Sequence, residues 1–380
     1  MKGEKNRLGG WRNERPSAEL GGPAVPAGTG RAGSWQAEAF QSGLMASGGM
    51  ILILAISLLL MVLLALLLSK TPARTLYYFF LGPLQNRYYF GNMLNSAIPL
   101  IFGGLGVSIA MKSNNFNLGG EGQIYSGAFV TTIAALALAH LGFAGALLAL
   151  MAGTIFSGLV AGFSGFCKAE WNTSELITSF LVSNALVLVV NYFVTGPFLD
   201  GATNLQSTEK IPESFRLPQI LHPSNLSAAL FIAVAAVLLV HIFLSRTGIG
   251  YEIRITGGNE LFARYGGINT KKITVLAMFL SGAFYGMAGG LAVYGTYYST
   301  VKEFSSGMGW NGLAVALIAR FSPIAVIPAA IFFAWIGSGA RIAMQNSDVT
   351  FEIASIVQGA VFFLVTSQVL RNVFKKRSAL

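Results

Sequence analysis

An ionisable residue stands inside a glycine cluster where the chain enters an apolar region. Residues 116–128 read Phe-Asn-Leu-Gly-Gly-Glu-Gly-Gln-Ile-Tyr-Ser-Gly-Ala and include Glu121. A charge at the centre of a bilayer costs about 2.5–3.5 kcal/mol on insertion scales, and each glycine weakens a helix by about 1 kcal/mol. A segment that carries both costs is typical of a site or a pathway. We therefore predict a discontinuous or re-entrant segment near residues 116–128.

Two interpretations of Glu121 follow from its position. In the first, the carboxylate lies at a helix start, where the helix dipole favours negative charge, and stabilises a broken helix without touching a solute. In the second, it lines or gates a translocation path, as discontinuous helices do in transporters. Trp310 and Asn311 hold a similar place at the head of the predicted short eighth helix. The predicted path residues are Asn117, Glu121, Gln123, Trp310 and Asn311.

The composition restricts the class of protein. Of 380 residues, 54% are hydrophobic and 11% are charged, whereas soluble domains carry about 25% charged residues. This balance predicts a polytopic membrane protein. The single cysteine excludes an internal disulfide and a multi-cysteine metal site, and the three histidines lie far apart in the sequence. We expect no metal and no cofactor.

The apolar runs predict an all-α protein of about ten transmembrane helices. A span needs about 20 apolar residues, and residues 310–320 would rise only about 16 Å as a helix, so a short helix is expected there. The predicted spans are residues 50–69, 93–111, 118–140, 141–163, 176–195, 226–245, 273–294, 310–320, 324–340 and 351–370.

The segments between and beyond the spans have their own character. Residues 71–90, rich in Tyr and Phe, predict an interfacial helix. Residues 164–175 predict a polar loop, and residues 196–225 a long external loop. Residues 1–49 predict a disordered cytoplasmic extension. The methionines immediately before the first span also offer an alternative start codon, so the assigned start is open to question. Residues 371–380 form a basic tail.

The net charge of +10 reflects topology, because the basic residues cluster at the ends of apolar runs. The excess of Lys and Arg on one side predicts that both termini are cytoplasmic. The charge does not indicate nucleic acid as a partner.

A charged segment, residues 248–268, is too polar to span the membrane. Gly257 and Gly258 predict a turn, Asn259 predicts a helix cap, and residues 260–265 predict a short amphipathic helix. Because no GxxxxGK[ST] phosphate-binding loop occurs in the chain, any ATP hydrolysis would belong to another chain. The segment is either a docking site for such an ATPase or an ordinary solvated loop.

Other polar and small residues in the spans favour packing over chemistry. Asn184 and Asn191 share one helix face and predict interhelical hydrogen bonds, with a place on the path as the alternative. Four glycines between residues 282 and 290 predict close helix packing. We predict that Cys167 is a packing residue without a chemical role.

Four motifs in sequence order resemble those of a known family. They are Asn115-Phe-Asn-Leu-Gly-Gly-Glu-Gly-Gln123, the Gly257-Gly-Asn…Ala263-Arg-Tyr-Gly-Gly-Ile268 segment, Ser281-Gly-Ala-Phe-Tyr-Gly-Met-Ala-Gly289, and Gly309-Trp-Asn-Gly-Leu-Ala-Val-Ala-Leu-Ile-Ala-Arg320. Over residues 50–370 the chain resembles permease subunits of bacterial ABC importers of the branched-chain amino acid, ribose and nucleoside group. It is most similar to the larger permease of nucleoside systems that depend on a basic membrane lipoprotein.

The resemblance implies a role for the charged segment and for one further acid. It makes residues 248–268 the ATPase coupling segment and adds Glu175 before the fifth span. The chain departs from the family pattern at Phe262, at Arg264 and after Arg320. The coupling residues that it implies are Glu175, Glu252, Arg254, Gly257, Gly258, Asn259, Arg264 and Tyr265.

The resemblance also implies a function and partners. The chain would be a non-enzymatic permease in the bacterial inner membrane, moving a neutral polar solute. Purine nucleosides come first, and riboflavin or a simple sugar such as ribose is the alternative. The implied partners are an ATP-binding cassette ATPase, a second permease in a heterodimer and an extracytoplasmic substrate-binding lipoprotein. An ion-coupled secondary transporter is a second alternative, but it leaves residues 248–268 unexplained. No nucleophile with a base supports a membrane enzyme.

Overall fold

The computed structural model describes residues 69–305 and 307–348, together with isolated positions between residues 55 and 67 and between residues 356 and 363. All of them belong to one compact unit, residues 49–380. The predicted extension and basic tail lie outside the described residues. So do the first and last predicted spans, apart from those isolated positions.

The described chain is built from helices. They are α1 (Pro72–Phe80), α2 (Arg87–Lys112), α3 (Gly120–Ala137), α4 (Gly142–Trp171), α5 (Glu175–Thr195), α6 (Ala229–Arg246), α7 (Gly248–Gly258), α8 (Glu260–Tyr265), α9 (Thr270–Ala292), α10 (Met308–Ile318) and α11 (Pro323–Asn346). The described residues contain no strand, only two isolated β-bridges.

Six of these helices, α2, α4, α5, α6, α9 and α11, are long and apolar enough to cross a membrane. Helix α3 has the length, but its first turn is polar, and α10 is short and apolar. A helix therefore stands at each of the eight predicted spans between residues 93 and 340. The predicted all-α polytopic architecture is confirmed.

The two ends of the bundle differ. Helices α7 and α8 lie where α2, α4 and α6 end, and we call this the α7 end. Residues 196–228 lie at the opposite end, where α2 and α6 begin, and we call it the long-loop end. There Asn225 N–H donates to Asn92 Oδ1 at 3.0 Å, which fastens the loop to α2.

Three local predictions were wrong. Residues 71–90 are not one helix: α1 ends at Phe80, and α2 already begins at Arg87, because Asn86 Oδ1 caps it by accepting from Tyr89 N–H at 2.8 Å. The predicted loop 164–175 is helical through Trp171, because no proline interrupts that run.

The third error concerns the predicted turn at Gly257 and Gly258, which are both helical. Asn259 N–H donates to Ile255 O at 3.0 Å, so the hydrogen bonding of α7 continues past the glycines. The predicted cap is confirmed: Asn259 Oδ1 accepts from Phe262 N–H at 2.9 Å and starts α8.

Small residues let α9 pack closely against α3 and α4. A Cβ atom built on Gly282 would lie 2.3 Å from Ser157 O, and one on Gly289 would lie 2.1 Å from Ile124 O. Neither approach allows a side chain. The predicted close packing is confirmed, and Cys167 is buried as expected.

The two asparagines of α5 differ. Tyr125 O–H of α3 donates to Asn191 Oδ1 at 2.8 Å, so the predicted interhelical bond is confirmed there. It is wrong for Asn184, which is exposed and donates to Phe180 O of its own helix at 2.9 Å.

Candidate functional site

The chain turns back into the bundle between α2 and α3. Helix α2 ends at Lys112, Asn114 adopts a left-handed conformation with φ 58°, and α3 begins only at Gly120. Asn117 Nδ2 donates to Ser281 Oγ at 3.0 Å, and Ser281 lies near the middle of α9. Helix α3 therefore begins deep within the bundle, which confirms the predicted discontinuous segment.

An amide pair holds this turn. Asn117 Nδ2 donates to Gln123 Oε1 at 2.8 Å, and Gln123 Nε2 donates back to Asn117 Oδ1 at 3.1 Å. Gly119 N–H also donates to Asn117 Oδ1, at 2.9 Å. Both amides are almost completely buried. In this subunit they satisfy each other and fix the start of α3; their place on a path stays a prediction.

Helix α5 supplies two further acceptors to the turn. Ser179 Oγ accepts from Leu118 N–H at 3.1 Å, and Ser183 Oγ accepts from Gly122 N–H at 2.7 Å. The first N–H groups of a helix have no partner within it, so the hydroxyls allow α3 to begin away from water. Sequence reasoning missed both serines. Their i, i+4 spacing, which places both hydroxyls on one face of α5, was the available signal.

Glu175 ties the turn to two other helices. Its Oε1 accepts from Lys168 Nζ at 2.8 Å and from Phe116 N–H at 3.2 Å, and its side chain is only 14% exposed. Lys168 Nζ also donates to Asn114 O at 3.3 Å. Glu175, at the start of α5, thus connects this helix both to the turn and to the end of α4. Its predicted contact with an ATPase stays a prediction.

Glu121 joins two helix starts. It lies in the first turn of α3, and its Oε2 accepts from Gly309 N–H in the first turn of α10 at 3.0 Å. Gly307, the residue before α10, offers no side-chain cap. The positive ends of two helix dipoles therefore meet at one carboxylate. This contact favours the anchoring interpretation of Glu121.

A glycine makes this contact possible. A Cβ atom on Gly309 would lie 2.3 Å from Glu121 N. Next to it, Trp310 is 43% exposed and packs edge-on against Phe180 of α5, with the ring centroids 6.3 Å apart. The starts of α3 and α10, which the sequence analysis treated as two similar segments, are therefore in direct contact.

A cavity of about 480 Å³ opens beside this junction toward the long-loop end. Its walls come from α2, α9, α10 and α11 and from the start of α6. The polar side chains that line it are those of Asn92, Asn95, Ser96, Asn225, Ser227, Thr296, Tyr297, Asn311 and Arg341. Its described lining contains no carboxylate.

Only one predicted path residue, Asn311, lines this cavity. Asn117, Glu121 and Trp310 line a separate narrow cleft, and Gln123 lines neither. Sequence reasoning missed the polar face of α2, although Asn92, Asn95 and Ser96 have helical spacing. It also placed the end of the ninth span one residue before Arg341, which α11 includes.

The predicted coupling segment contacts the turn through one glycine. A Cβ atom on Gly257 would lie 2.1 Å from Lys112 O and 3.0 Å from Ser113 Cα, whereas one on Gly258 would meet nothing within 4 Å. Helix α7 is therefore pressed against the exact place where α2 ends and the turn begins.

The other predicted coupling residues lie around this contact. Arg264 pairs with Glu260 at 2.7 Å within α8, and Arg254 is exposed. Tyr265 is 91% exposed, and Leu261 and Phe262 beside it are more than half exposed. Glu252 is half-buried, and Asn259 serves as the cap of α8.

Residues 89–366 match the family model described as the permease component of the branched-chain amino acid transport system. The chain is 36% identical to the probable riboflavin import permease protein RfuC of Treponema pallidum, with 80% of each chain covered.

Two further relatives are named for other transported solutes. The guanosine ABC transporter permease protein NupP of Bacillus subtilis is 29% identical, with 76% of this chain and 84% of the relative covered. The glucose ABC transporter permease protein TsgB13 of Haloferax volcanii is 28% identical, with 77% and 80% covered. No solved structure matches the chain.

The family model spans most of the chain, and the relatives are transport subunits, not enzymes. The polar turn, the broken helices and the membrane-spanning bundle are thus features of a transport protein. The chain belongs to the permease family of branched-chain amino acid transport systems and is a membrane-spanning ABC importer permease.

Proposed function

We propose that this permease carries a neutral nitrogen heterocycle attached to a ribose or polyol chain, with riboflavin and purine nucleosides as its two main candidates. The observation that carries the proposal is the cavity of about 480 Å³ beside the junction of α3 and α10. Pockets for small ligands usually measure about 300–1,000 Å³, so this cavity has the size for one such solute.

The polar groups of the cavity suit a neutral solute. Amides and hydroxyls both donate and accept, which matches the hydroxyls of ribose or ribitol and the mixed edge of a heterocycle. The absence of a carboxylate from the described lining disfavours a cationic solute. Arg341 alone is a weak match for a phosphate dianion, and Tyr297 offers a ring face to a planar solute.

The relatives support the same class. Riboflavin and guanosine, for which two of the relatives are named, each combine a nitrogen heterocycle with a hydroxylated carbon chain or sugar. From the sequence, purine nucleosides come first; the 36% identity to the riboflavin permease supports riboflavin as a second candidate. A sugar such as glucose has no ring nitrogen and no planar face. The uptake experiment below therefore includes glucose as the competing candidate.

The machinery follows from the class of permease. An ABC permease works with an ATPase, and we propose α7 and α8 as its docking site on the cytoplasmic side of the bacterial inner membrane. A second, paralogous permease would complete the pathway, and a substrate-binding lipoprotein would deliver the solute at the long-loop end. Both termini would be cytoplasmic, as the positive-inside pattern predicts.

The contacts suggest how docking reaches the cavity. Helix α7 touches the end of α2 through Gly257, and the turn that follows fixes α3. Glu121 in turn holds the start of α10, whose Asn311 lines the cavity. A push on α7 can therefore reach the cavity through packed backbone. An ion-coupled transporter needs no such segment and would need more carboxylates in its spans.

Uptake tests the cargo. A strain lacking its own uptake systems would express this chain with its partner genes and receive labelled riboflavin, guanosine or glucose. We expect ATP-dependent uptake of at least one of the two heterocycles, competed by an excess of unlabelled compound. Uptake of glucose alone, or of no heterocycle, would contradict the proposal.

Copurification tests the docking site. The triple change of Leu261, Phe262 and Tyr265 to serine removes the exposed apolar side chains of α8. We expect it to release the ATPase. The matched control changes Leu205 and Ile220, also exposed but in the long loop, to serine and should retain the ATPase. Full retention by the triple variant would refute the docking site.

A further inference from the structure

A groove lies on the outer side of the bundle, between the end of α4 and the start of α9. Its volume is about 410 Å³, and none of its lining residues belongs to the cavity of about 480 Å³. The groove is therefore a separate feature of the molecule. The residues that line it are Phe166, Ala169, Glu170, Lys271, Lys272, Val275, Leu276 and Phe279.

The wall that α9 contributes is amphipathic along its length. Lys272 lies in the first turn of α9 and is exposed. Val275, Leu276 and Phe279 follow it at positions i+3, i+4 and i+7, which share one face of a helix. Because a helix rises 1.5 Å per residue, Phe279 lies about 10 Å farther along α9 than Lys272. This wall therefore has a cationic end and an apolar end.

The cationic end of the groove lies at a membrane surface. Trp171, the last residue of α4, is 65% exposed and packs edge-on against Phe166, with the ring centroids 5.7 Å apart. Exposed tryptophans are typical of the boundary between the bilayer and water. The groove thus begins at headgroup level and runs into the hydrocarbon layer.

The charges at this end leave one cation without a partner. Lys271 Nζ donates to Glu170 Oε2 at 2.9 Å, which joins α9 to α4 and commits the carboxylate. Asn269 Oδ1 accepts from the backbone N–H of Lys272 at 3.1 Å and fixes its place. Within the described part of the chain, the Lys272 ammonium has no hydrogen bond or ion pair.

The apolar end is shaped by packing between the two helices. A Cβ atom on Gly158 of α4 would lie 2.8 Å from Phe279 Cε2, so the missing side chain lets this ring approach α4. Phe166, on the wall from α4, is 44% exposed. One aromatic ring from each helix therefore borders the apolar part of the groove.

We infer that this groove binds an anionic phospholipid, with the phosphate of its headgroup at Lys272 and an acyl chain along Val275, Leu276 and Phe279. Basic pockets between membrane helices bind anionic headgroups in this way. A free phosphate ion would leave the apolar wall uncovered. A zwitterionic lipid carries its own ammonium group and gains less from Lys272.

A lipid in this groove would act beside the proposed docking site. Arg264 Nε of α8 donates to Thr270 Oγ1 at 3.1 Å, and Thr270 begins α9 two residues before Lys272. The lipid would bridge α4 and α9 at the point where α8 is attached. The binding itself does not depend on which solute the permease carries.

Photo-crosslinking tests the site locally. The photoreactive amino acid p-benzoylphenylalanine replaces Phe166 in the assembled transporter, which is placed in nanodiscs of equal parts phosphatidylglycerol and phosphatidylcholine with identical acyl chains. Mass spectrometry then gives the ratio of the two lipid adducts. We expect phosphatidylglycerol to exceed phosphatidylcholine by about fivefold, the effect of one basic residue near a membrane surface.

Three further changes in the same background identify the cation. Lys272→Gln should bring the ratio close to one, and Lys272→Arg should keep it high. Arg246→Gln is the matched control, because Arg246 is an exposed cation at the end of α6, also at the α7 end, and lies outside the groove. It should keep the ratio of the parent.

Other outcomes would overturn the assignment. A ratio near one in the parent, or an unchanged ratio in Lys272→Gln, would show that Lys272 selects no lipid. An equal fall in Lys272→Gln and Arg246→Gln would show a general attraction of the charged surface. Adducts with another protein subunit, or no lipid adduct, would show that the groove is not a lipid site.

Discussion

The carboxylate of Glu121 accepts a hydrogen bond from the backbone N–H of Gly309 at 3.0 Å and so joins two helices that are 188 residues apart in sequence. Each residue lies in the first turn of its helix. The carboxylate thus accepts from one of the N–H groups that lack a partner within α10, and it also lies at the positive end of the α3 dipole. This hydrogen bond joins the two broken elements where Gly309 already packs closely against the backbone of Glu121.

Glu121→Ala should weaken this junction. Loss of a helix cap costs about 0.5–2 kcal/mol, so we expect a lower melting temperature of the assembled transporter and reduced transport. Glu121→Gln keeps an acceptor and should retain most of both. Loss of transport by Glu121→Gln in a normally assembled, normally stable complex would favour direct contact with the solute over anchoring.

Neighbouring glycines in α7 offer a matched pair. Gly257→Ala must push α7 away from Lys112, because the new methyl group would meet a carbonyl oxygen at 2.1 Å, whereas Gly258→Ala meets no atom within 4 Å. We expect Gly257→Ala to lower the number of solutes moved per ATP hydrolysed and Gly258→Ala to leave it near wild type. Equal coupling in both variants would argue against a mechanical role for this contact.

The buried amide pair should contribute to stability in this subunit. Asn117→Ala leaves the Gln123 amide and the Ser281 hydroxyl without a partner, and an unpaired buried polar group costs about 1–3 kcal/mol. Asn184→Ala is the control, because that exposed side chain bonds only to its own helix. Thermal unfolding of the assembled complex should show a drop for Asn117→Ala alone. Identical curves for the two variants would contradict the anchoring of the turn by Asn117.

An aspartate fastens α1 to the end of α11. Asp348 accepts hydrogen bonds from Ser69 Oγ at 2.7 Å, from the backbone N–H of Lys70 and from Thr71 Oγ1 at 2.9 Å. These bonds, led by that from Ser69, lower the pKa of the Asp348 carboxyl below its ordinary value of 3.8. A group of this kind stabilises the fold above its unfolded pKa and loses that effect as the pH falls through its folded pKa.

The loss therefore belongs to strongly acidic solution and not to pH 5–8. We expect Asp348→Asn to lower the melting temperature by the same amount at pH 5, 6.5 and 8. Asp200→Asn, in the long loop, serves as the control. A difference between wild type and Asp348→Asn that grows or vanishes across this range would show that the carboxylate titrates there, against the prediction.

The sequence predicted the spans and the broken segment because both depend on local composition. Apolar run length sets a membrane helix, and the glycines around Glu121 mark its interruption. Asn259 was predicted as a cap for the same reason, since a cap acts within three residues. The helix at Gly257 was missed because this glycine allows a close contact with the end of α2, which local turn propensity does not reveal.

The cavity could not be predicted, because its wall joins residues that are distant in sequence. Asn95 donates to Thr296 Oγ1 at 2.9 Å across 201 positions, and Arg341 meets Ser96 across 245. Nothing local marks such pairs as neighbours. Glu121 stands out in the sequence as an isolated charge, yet the cavity lies beside Asn311, two residues after the Gly309 that donates to Glu121.

Protection of a single cysteine by the solute tests the central claim most directly, namely that the cavity beside α10 is the solute chamber. Cys167 is buried, so it gives a low background to a polar thiol reagent. Thr296→Cys places a reactive group in the cavity wall, and Thr178→Cys, on α5 outside it, is the control.

The measurement is the labelling rate of each variant in the assembled transporter, with and without saturating riboflavin or guanosine. We predict that the transported compound slows labelling of Thr296→Cys severalfold and leaves Thr178→Cys unchanged. Labelling of Thr296→Cys at the same rate with and without a compound that the variant still transports would contradict the assignment of this cavity as the solute chamber.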